Sequence, residues 1–301
     1  MNDEKINIHP DNFESLGINI DSTLVPVYLE QDDKFKFNCH QGISCFNECC
    51  KNIDIVLTPY DVLRLKNNLG ITTTEFIANF ANFYEVDGHG LPGLNLKTKE
   101  DMKTCEFVTE NGCAVYVDRP TACRYYALGN MVMRKKDSSV AETGYFIVKE
   151  GHCKGHFEAH EQTVAEYRQD QGLQEYDEMN LGFQELVLKK KSSGPTVGAP
   201  SARSMQLYFM AAYDMDRFRE FIKSDGFKDV FDLPAVEFEK IISDEEALLN
   251  FSQRFLKQVL FGESSIAQKT DAAEVRRQKK QQRMAIKQKE LNDEANRKAA
   301  K

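Results

Sequence analysis

The chain is expected to be an α+β protein, mostly helical, with an irregular cysteine-rich metal-site core and short strands, then a C-terminal helical extension and a charged tail. Three observations lead there. All eight cysteines fall between Cys39 and Cys153. Apolar residues recur at helical spacing between recognisable start and stop signals. A Ser/Gly/Pro-rich stretch then separates the cysteine-bearing part from a helical one. The expected organisation is a lead-in over 1–34, a cysteine-cluster domain over 35–191 and a linker over 192–204. A helical region over 205–262 and a basic tail over 263–301, helical or disordered, complete it.

The lead-in shows no strong period. Ile18, Ile20, Leu24 and Val27 can pack as a short arm. Cys39-His-Gln-Gly-Ile-Ser-Cys45-Phe-Asn-Glu-Cys49-Cys50 follows, with half of the cysteines in twelve residues. Asp54–Leu57 is a short apolar run that reads as a strand. It ends at Thr58-Pro59-Tyr-Asp61, where Thr58 suits the cap, Pro59 the first helical position and Asp61 the positive end of the helix dipole. Val62, Leu65 and Leu69 continue that helix to Gly70. Thr72 and Glu75 form a capping-box pattern for a second helix, with Phe76, Ile77, Phe80 and Phe83 on its buried side.

Residues 86–104 read as a loop. Gly88-His-Gly90-Leu-Pro-Gly93 matches G-x-G-x-x-G in letters only, because no strand precedes it and no helix opens after it. Cys105, Cys113 and Cys123 come next, with Gly112 supporting a tight turn. Met131–Arg134 and Gly144–Val148 read as strands joined by a polar loop, and Cys153 follows in His152-Cys-Lys-Gly-His156. Helices are expected over about 160–172 and 177–191. Beyond the linker, one helix carries Leu207 to Ile222 and a second starts near Pro234. A third has the capping box Ser243-x-x-Glu246 and ends at Gly262. Residues 274–301 have almost no apolar face.

Composition bounds the function. The 301 residues are 41% hydrophobic and 29% charged, ample for a core; tryptophan is absent, but twenty Phe and eleven Tyr can fill it. A formal net charge of −8 argues against general nucleic-acid binding, which needs a basic face. A weak contact through the basic tail is the alternative to a plain solubilising role. The polar N-terminus lacks a signal-peptide pattern and no apolar run is long enough to span a membrane, so a cytoplasmic location is expected. In that reducing compartment, clustered cysteines serve as metal ligands or redox groups more often than as disulfides.

The thiolate is the metal-binding form of cysteine, and both zinc and iron–sulfur centres take four such ligands. The candidate ligands are Cys39, Cys45, Cys49, Cys50, Cys105, Cys113, Cys123 and Cys153, enough for two four-thiolate centres or for one centre and a redox pair. Side chains of the adjacent Cys49 and Cys50 diverge in most backbone conformations, so they seldom serve one small ion together. The bland alternative, cysteines packed as small hydrophobes, fits poorly with eight of them crowded into one half of the chain. The histidines are weaker candidates: His156 has ligand spacing from Cys153 and can share a helical face with His160, but surface or capping roles explain each equally well, and His40 reads as second shell or exposed before it reads as a ligand. A thiolate centre is negative and needs counter-charge, which makes Arg119 and Arg124 candidates for the second shell, Arg124 ahead of Arg119. The competing reading pairs both with carboxylates such as Asp118.

Three segments together resemble the bacterial cysteine-cluster family often called YkgJ or CxxCxxCC, whose domain chelates zinc or iron. They are Cys45-Phe-Asn-Glu-Cys49-Cys50 preceded by Cys39, Leu57-Thr-Pro-Tyr-Asp61-Val-Leu-Arg-Leu65, and Cys105 through Gly112-Cys113 to Arg119-Pro120-Thr-Ala-Cys123-Arg124-Tyr-Tyr. The resemblance covers roughly residues 35–155. The chain departs from the family in the wider Cys39-x5-Cys45 spacing and in Ala127, where the family often has proline. Flagellin lysine-N-methylases carry a related cluster, so the resemblance permits methyl transfer, although no adenosylmethionine-binding glycine loop is present. The expected function is a protein whose cysteines bind zinc or iron, with an iron–sulfur cluster as one form, in a structural or redox role. The alternatives are a metal-dependent protein-modifying enzyme and a zinc-stabilised module that recruits a protein partner through the C-terminal helices. The sequence leaves open whether the chain is an enzyme at all.

Overall fold

The structure is a computed structural model that describes residues 24–85, 91–99, 103–134, 141–192 and 201–299. It is α+β and mostly helical, with short antiparallel strands in small sheets. The chain divides into two compact units, Met1–Ala199 and Pro200–Lys301. Ile18 and Ile20, the Gly88–Gly90 stretch, the 135–140 loop and most of the expected linker lie outside the described residues.

In the first unit the end of the lead-in is a strand. Leu24–Leu29 pairs with Ala141–Val148, which pairs in turn with Leu128–Arg134 in a seven-residue antiparallel register from Leu128↔Ile147 to Arg134↔Ala141. Lys34–Lys36 pairs with Glu161–Thr163, so the chain just before Cys39 lies beside the chain just after Cys153. Leu29, Phe35, Phe37, Tyr125, Leu128, Tyr145, Val164 and Tyr167 pack together as the core here.

The expected helix starts at Thr58 and Thr72 are both present as full capping boxes, opening helices Pro59–Leu69 and Thr73–Phe80. The second helix stops three residues earlier than expected. Phe83 is not on its buried side; it sits in strand Ala81–Glu85 and is 63% exposed. The loop expected over 86–104 also needs correction, because Pro92–Leu96 is the middle strand of a three-stranded sheet between Val56–Leu57 and Ala81–Glu85. Leu94 and Leu96 are buried, and Pro92 takes the first position, where a missing N–H is tolerated. Gly93 is required by its neighbour, since a Cβ there would lie 2.6 Å from the Tyr84 ring.

Asp61 fastens this layer to the cysteine segment. It is fully buried; Thr58 N–H donates to its Oδ2 at 2.9 Å, while Thr121 N–H and Oγ1–H donate to its Oδ1 at 2.8 and 2.6 Å. The Thr121–Tyr125 helix, which carries Cys123, is thereby held at its first residue. Arg64 and Asn68 of the same long helix hold Asp118, with Arg64 Nη2 at 2.6 Å and Asn68 Nδ2 at 2.7 Å. The helix expected over 160–172 begins at Val164 behind a capping box of Thr163 and Glu166, and the next spans Leu173–Ser192.

The second unit is helical: Ala202–Tyr213, Met215–Lys223, Asp225–Lys228, Ala235–Ser243, Glu245–Phe261 and Ala272–Ala299. The single helix expected through Leu207–Ile222 is two, because Asp214 ends one and caps the next, accepting from Arg217 N–H at 3.4 Å. Phe218, Phe227, Phe251 and Phe255 form its aromatic core, with ring centroids 5.5–6.2 Å apart. Among the described residues no helix is long and apolar enough to cross a membrane.

Candidate metal centre

All eight cysteines are free thiols, and all eight line one cavity of about 930 Å³ in the first unit. Four backbone features bring them there. A 3₁₀ turn, Glu48–Cys50, carries the adjacent pair. An isolated antiparallel bridge, Lys51↔Thr104, sets Cys50 beside Cys105. The hairpin Val108–Thr109/Gly112–Cys113 turns Cys113 back toward Cys105, with Ala114 N–H donating to Phe107 O at 2.8 Å. On the far side Asn38 N–H donates to Gly155 O at 3.1 Å, and Lys154 N–H donates to Cys45 Sγ at 3.2 Å.

Local chemistry explains the hairpin. Gly112 has φ +112°, a conformation that side chains resist, and a Cβ there would come within 3.2 Å of Phe46. Asn47 Nδ2 donates to Thr109 O at 3.0 Å and Gln41 Nε2 to Asn111 O at 3.2 Å, so the first cysteine loop is bonded to the hairpin that holds Cys113.

Electrostatics mark the cavity as a place for a cation. Burial, then the charges of Cys49, Cys45 and Cys153, push Cys39 up to about 11. Burial raises Cys105, Cys113 and Cys123 as well, and neighbouring thiolates add to the shift in each case. The Cys50 thiol donates to Cys49, which lowers Cys49 to about 7 and raises Cys50. Crowded thiolates therefore oppose one another's ionisation, and a bound cation would reverse that opposition. Cys123 lies deep in the unit yet keeps accessible surface, because it faces the cavity.

The two arginines part company. The positive charge of Arg119 favours ionisation of Cys39, Cys49, Cys113 and Cys123, and its side chain lines the cavity over the Tyr116 ring. The expectation put Arg124 first, whereas the arginine that lines the cavity is Arg119. The Arg124 guanidinium donates to the carbonyls of Val117, Arg119 and Gln171 and stacks on Tyr176 at 4.3 Å, outside the cavity wall. The Asp118 alternative also falls away, since Asp118 is taken by Arg64. Of the histidines, His40, His152 and His160 reach the cavity, whereas His156 bonds Val148 O at 2.9 Å and packs on Phe37.

Tyr126 and the 161–171 wall, including Gln162, Glu166 and Tyr167, were not foreseen. Polar residues on a short helix carry no sequence mark that separates a cavity wall from solvent. Tyr126 alone had a signal, as the second aromatic of the Cys123-Arg-Tyr-Tyr126 run. Its hydroxyl faces Cys153 and Glu150, while Arg119 Nε is buried with no hydrogen-bond partner among the described residues. The Tyr126–Ala127 peptide is cis, at the position where the resembling family often has proline.

Residues 38–169 match the model of the CxxCxxCC family, described as "Putative zinc- or iron-chelating domain". This segment is similar to the CxxCxxCC domain. The match covers less than half of the 301 residues and contains every cysteine. No curated protein and no solved structure matches the chain.

The donor set suits the metals of the CxxCxxCC description in kind. Sulfur ligands favour zinc and iron. Main-chain N–H groups of Phe107 and Val108 aimed at Cys105, and of Val115 aimed at Cys113, favour the ionised sulfur that a metal needs. The spacing is open: among the described residues no three Cys, His, Asp or Glu side chains stand at ligand separation, so the thiols must draw together to close on an ion.

Proposed function

We propose that the clustered cysteines hold zinc or iron and present it to an open cavity, as a redox or ligand-accepting centre more than a sealed structural one. One observation carries this reading: all eight thiols line the same cavity of about 930 Å³. A structural zinc site is closed on all sides by its four ligands. A metal ion, smaller than a water molecule with its roughly 30 Å³ of liquid volume, would fill little of this space. Bound zinc would supply a Lewis acid, and bound iron or an iron–sulfur cluster an electron carrier. The chain's own groups set the conditions. Arg119 offsets thiolate charge, main-chain N–H groups bond the sulfurs, and the Tyr126 hydroxyl stands beside Cys153 and Glu150 at the cavity wall.

Anaerobic purification followed by metal analysis and a visible spectrum tests this. Brown protein with iron supports the cluster form, and colourless protein with stoichiometric zinc supports the zinc form. Protein that arrives metal-free and takes up neither metal with its thiols reduced overturns the proposal. Openness is tested on cobalt-loaded protein: an added small thiol should shift the cobalt spectrum, and an unchanged spectrum at saturating thiol counts against an accessible centre. The interaction-module reading needs an apolar patch on residues 205–262, where Val236 and Val259 are the exposed large apolar side chains among the described residues, too few to carry it.

A further inference from the structure

We propose that the eight cysteines form two separate four-thiol metal sites, Cys39/Cys45/Cys49/Cys153 and Cys50/Cys105/Cys113/Cys123, with the adjacent Cys49 and Cys50 each serving a different one. This rests on the metal-binding reading above and adds the number of sites and the division of ligands.

Backbone pairing separates the sets. The Lys51↔Thr104 bridge joins Cys50 to Cys105, and the Val108↔Cys113 pair with the Ala114–Phe107 bond brings Cys113 to the same side. Cys123 enters that side from the helix pinned by Asp61. The other set is gathered by different bonds: Lys154 N–H to Cys45 Sγ, and Asn38 N–H to Gly155 O, which lays the Cys39 segment against the Cys153 turn.

The 3₁₀ turn Glu48–Cys50 then divides the pair. With three residues per turn, successive Cβ atoms leave the axis about 120° apart, and the Cys50 thiol reaches back to donate to Cys49, so the pair marks the seam where the two sets meet. The electrostatic neighbours fall into the same groups. Cys39 feels Cys49, Cys45 and Cys153; Cys50 feels Cys105 and Cys123; Cys123 feels Cys105 and Cys113. The groups meet at the adjacent pair, where Cys50 donates to Cys49 and feels its charge most strongly, and where Cys49 reaches Cys113. Four thiolates saturate a tetrahedral ion, so a single ion would leave four crowded thiols without a cation. Each ion displaces the thiol protons of its own set to solvent.

Cobalt(II) is a suitable probe, because its thiolate complexes absorb in the visible. Titrated anaerobically into the metal-free, reduced full-length chain, it should saturate at two equivalents, and native mass spectrometry should find two ions. Cys45→Ala and Cys105→Ala should each bind one equivalent, and the double variant none. Saturation of the wild type at one equivalent overturns the division and leaves metal binding standing. No cobalt at all overturns the metal reading beneath it. Loss of both equivalents in each single variant, with wild-type circular dichroism, also overturns the division. If a variant does not fold, the wild-type stoichiometry decides by itself.

Discussion

Arg119 and Arg124 stand in one short segment, and only Arg119 faces the sulfurs. Spacing could not separate them, because both flank Cys123 and both are cations. What separates them is the start of the Thr121–Tyr125 helix, which turns Arg124 onto the Val117, Arg119 and Gln171 carbonyls. Their variants should therefore fail differently. Arg119→Gln should weaken metal affinity about tenfold, the low end for outer-sphere groups, at little cost in stability. Arg124→Gln should leave the affinity of the folded protein near wild type and cost roughly 2–4 kcal/mol, because buried carbonyls lose their donors. Chelator competition and denaturant unfolding measure the two effects. The same loss of affinity in both variants would contradict the assignment.

Helix boundaries were legible wherever a side chain caps the backbone. Thr58, Thr72, Gly70 and Gly262 each close a helix end as expected. Near misses came where two capping groups adjoin: Asp244, not Ser243, caps the Glu245–Phe261 helix, accepting from Glu246 and Ala247 N–H at 2.9 and 3.0 Å. Pro92–Leu96 was illegible because its strand character depends on partners distant in sequence, while its Gly and Pro content reads as loop. Asp61 shows how a family signature remote from the cavity can matter. Its helix contributes nothing to the cavity wall, yet its carboxylate holds the segment that presents Cys123. Burial raises the Asp61 carboxyl above the ordinary carboxylate range, against the hydrogen bonds from Thr121 and Thr58. The folded state thus favours the protonated acid. The stabilisation is fully present below the unfolded pKa and is lost as pH rises through the higher folded value. The stability advantage of the wild type over Asp61→Asn should accordingly shrink as pH rises out of the ordinary carboxylate range. Parallel denaturant titrations over that span check it; an advantage that grows with pH would show the carboxylate to be the favoured form.

The cysteines confine metal chemistry to one of the two compact units, since none follows Cys153. The second unit is stabilised by burial of Phe218, Phe227, Phe251 and Phe255, each contributing about 1.5–3 kcal/mol. Chelation should lower the melting temperature of the cysteine-bearing unit and leave the helical unit's transition in place. Scanning calorimetry of the full chain with and without chelator should resolve the two effects; equal shifts of all transitions would mean that the units melt together. That the cysteines gather in one part of the chain was legible from their positions alone. The proposed grouping was not, because it rests on the Lys51↔Thr104 bridge and on the bonds that bring the Cys153 turn to Cys39 and Cys45. Those bonds also impose an order of events on biogenesis. The ribosome releases Cys39 to Cys50 early and Cys153 last of the eight, and domains fold as their sequences emerge. A set that draws on both ends of this stretch cannot close on a half-made chain. Under the proposed division the Cys39/Cys45/Cys49/Cys153 set could load only once Cys153 has been made, whereas the thiols of the other set are all present by Cys123, and the early thiols of the first set would have to be kept reduced in the interval.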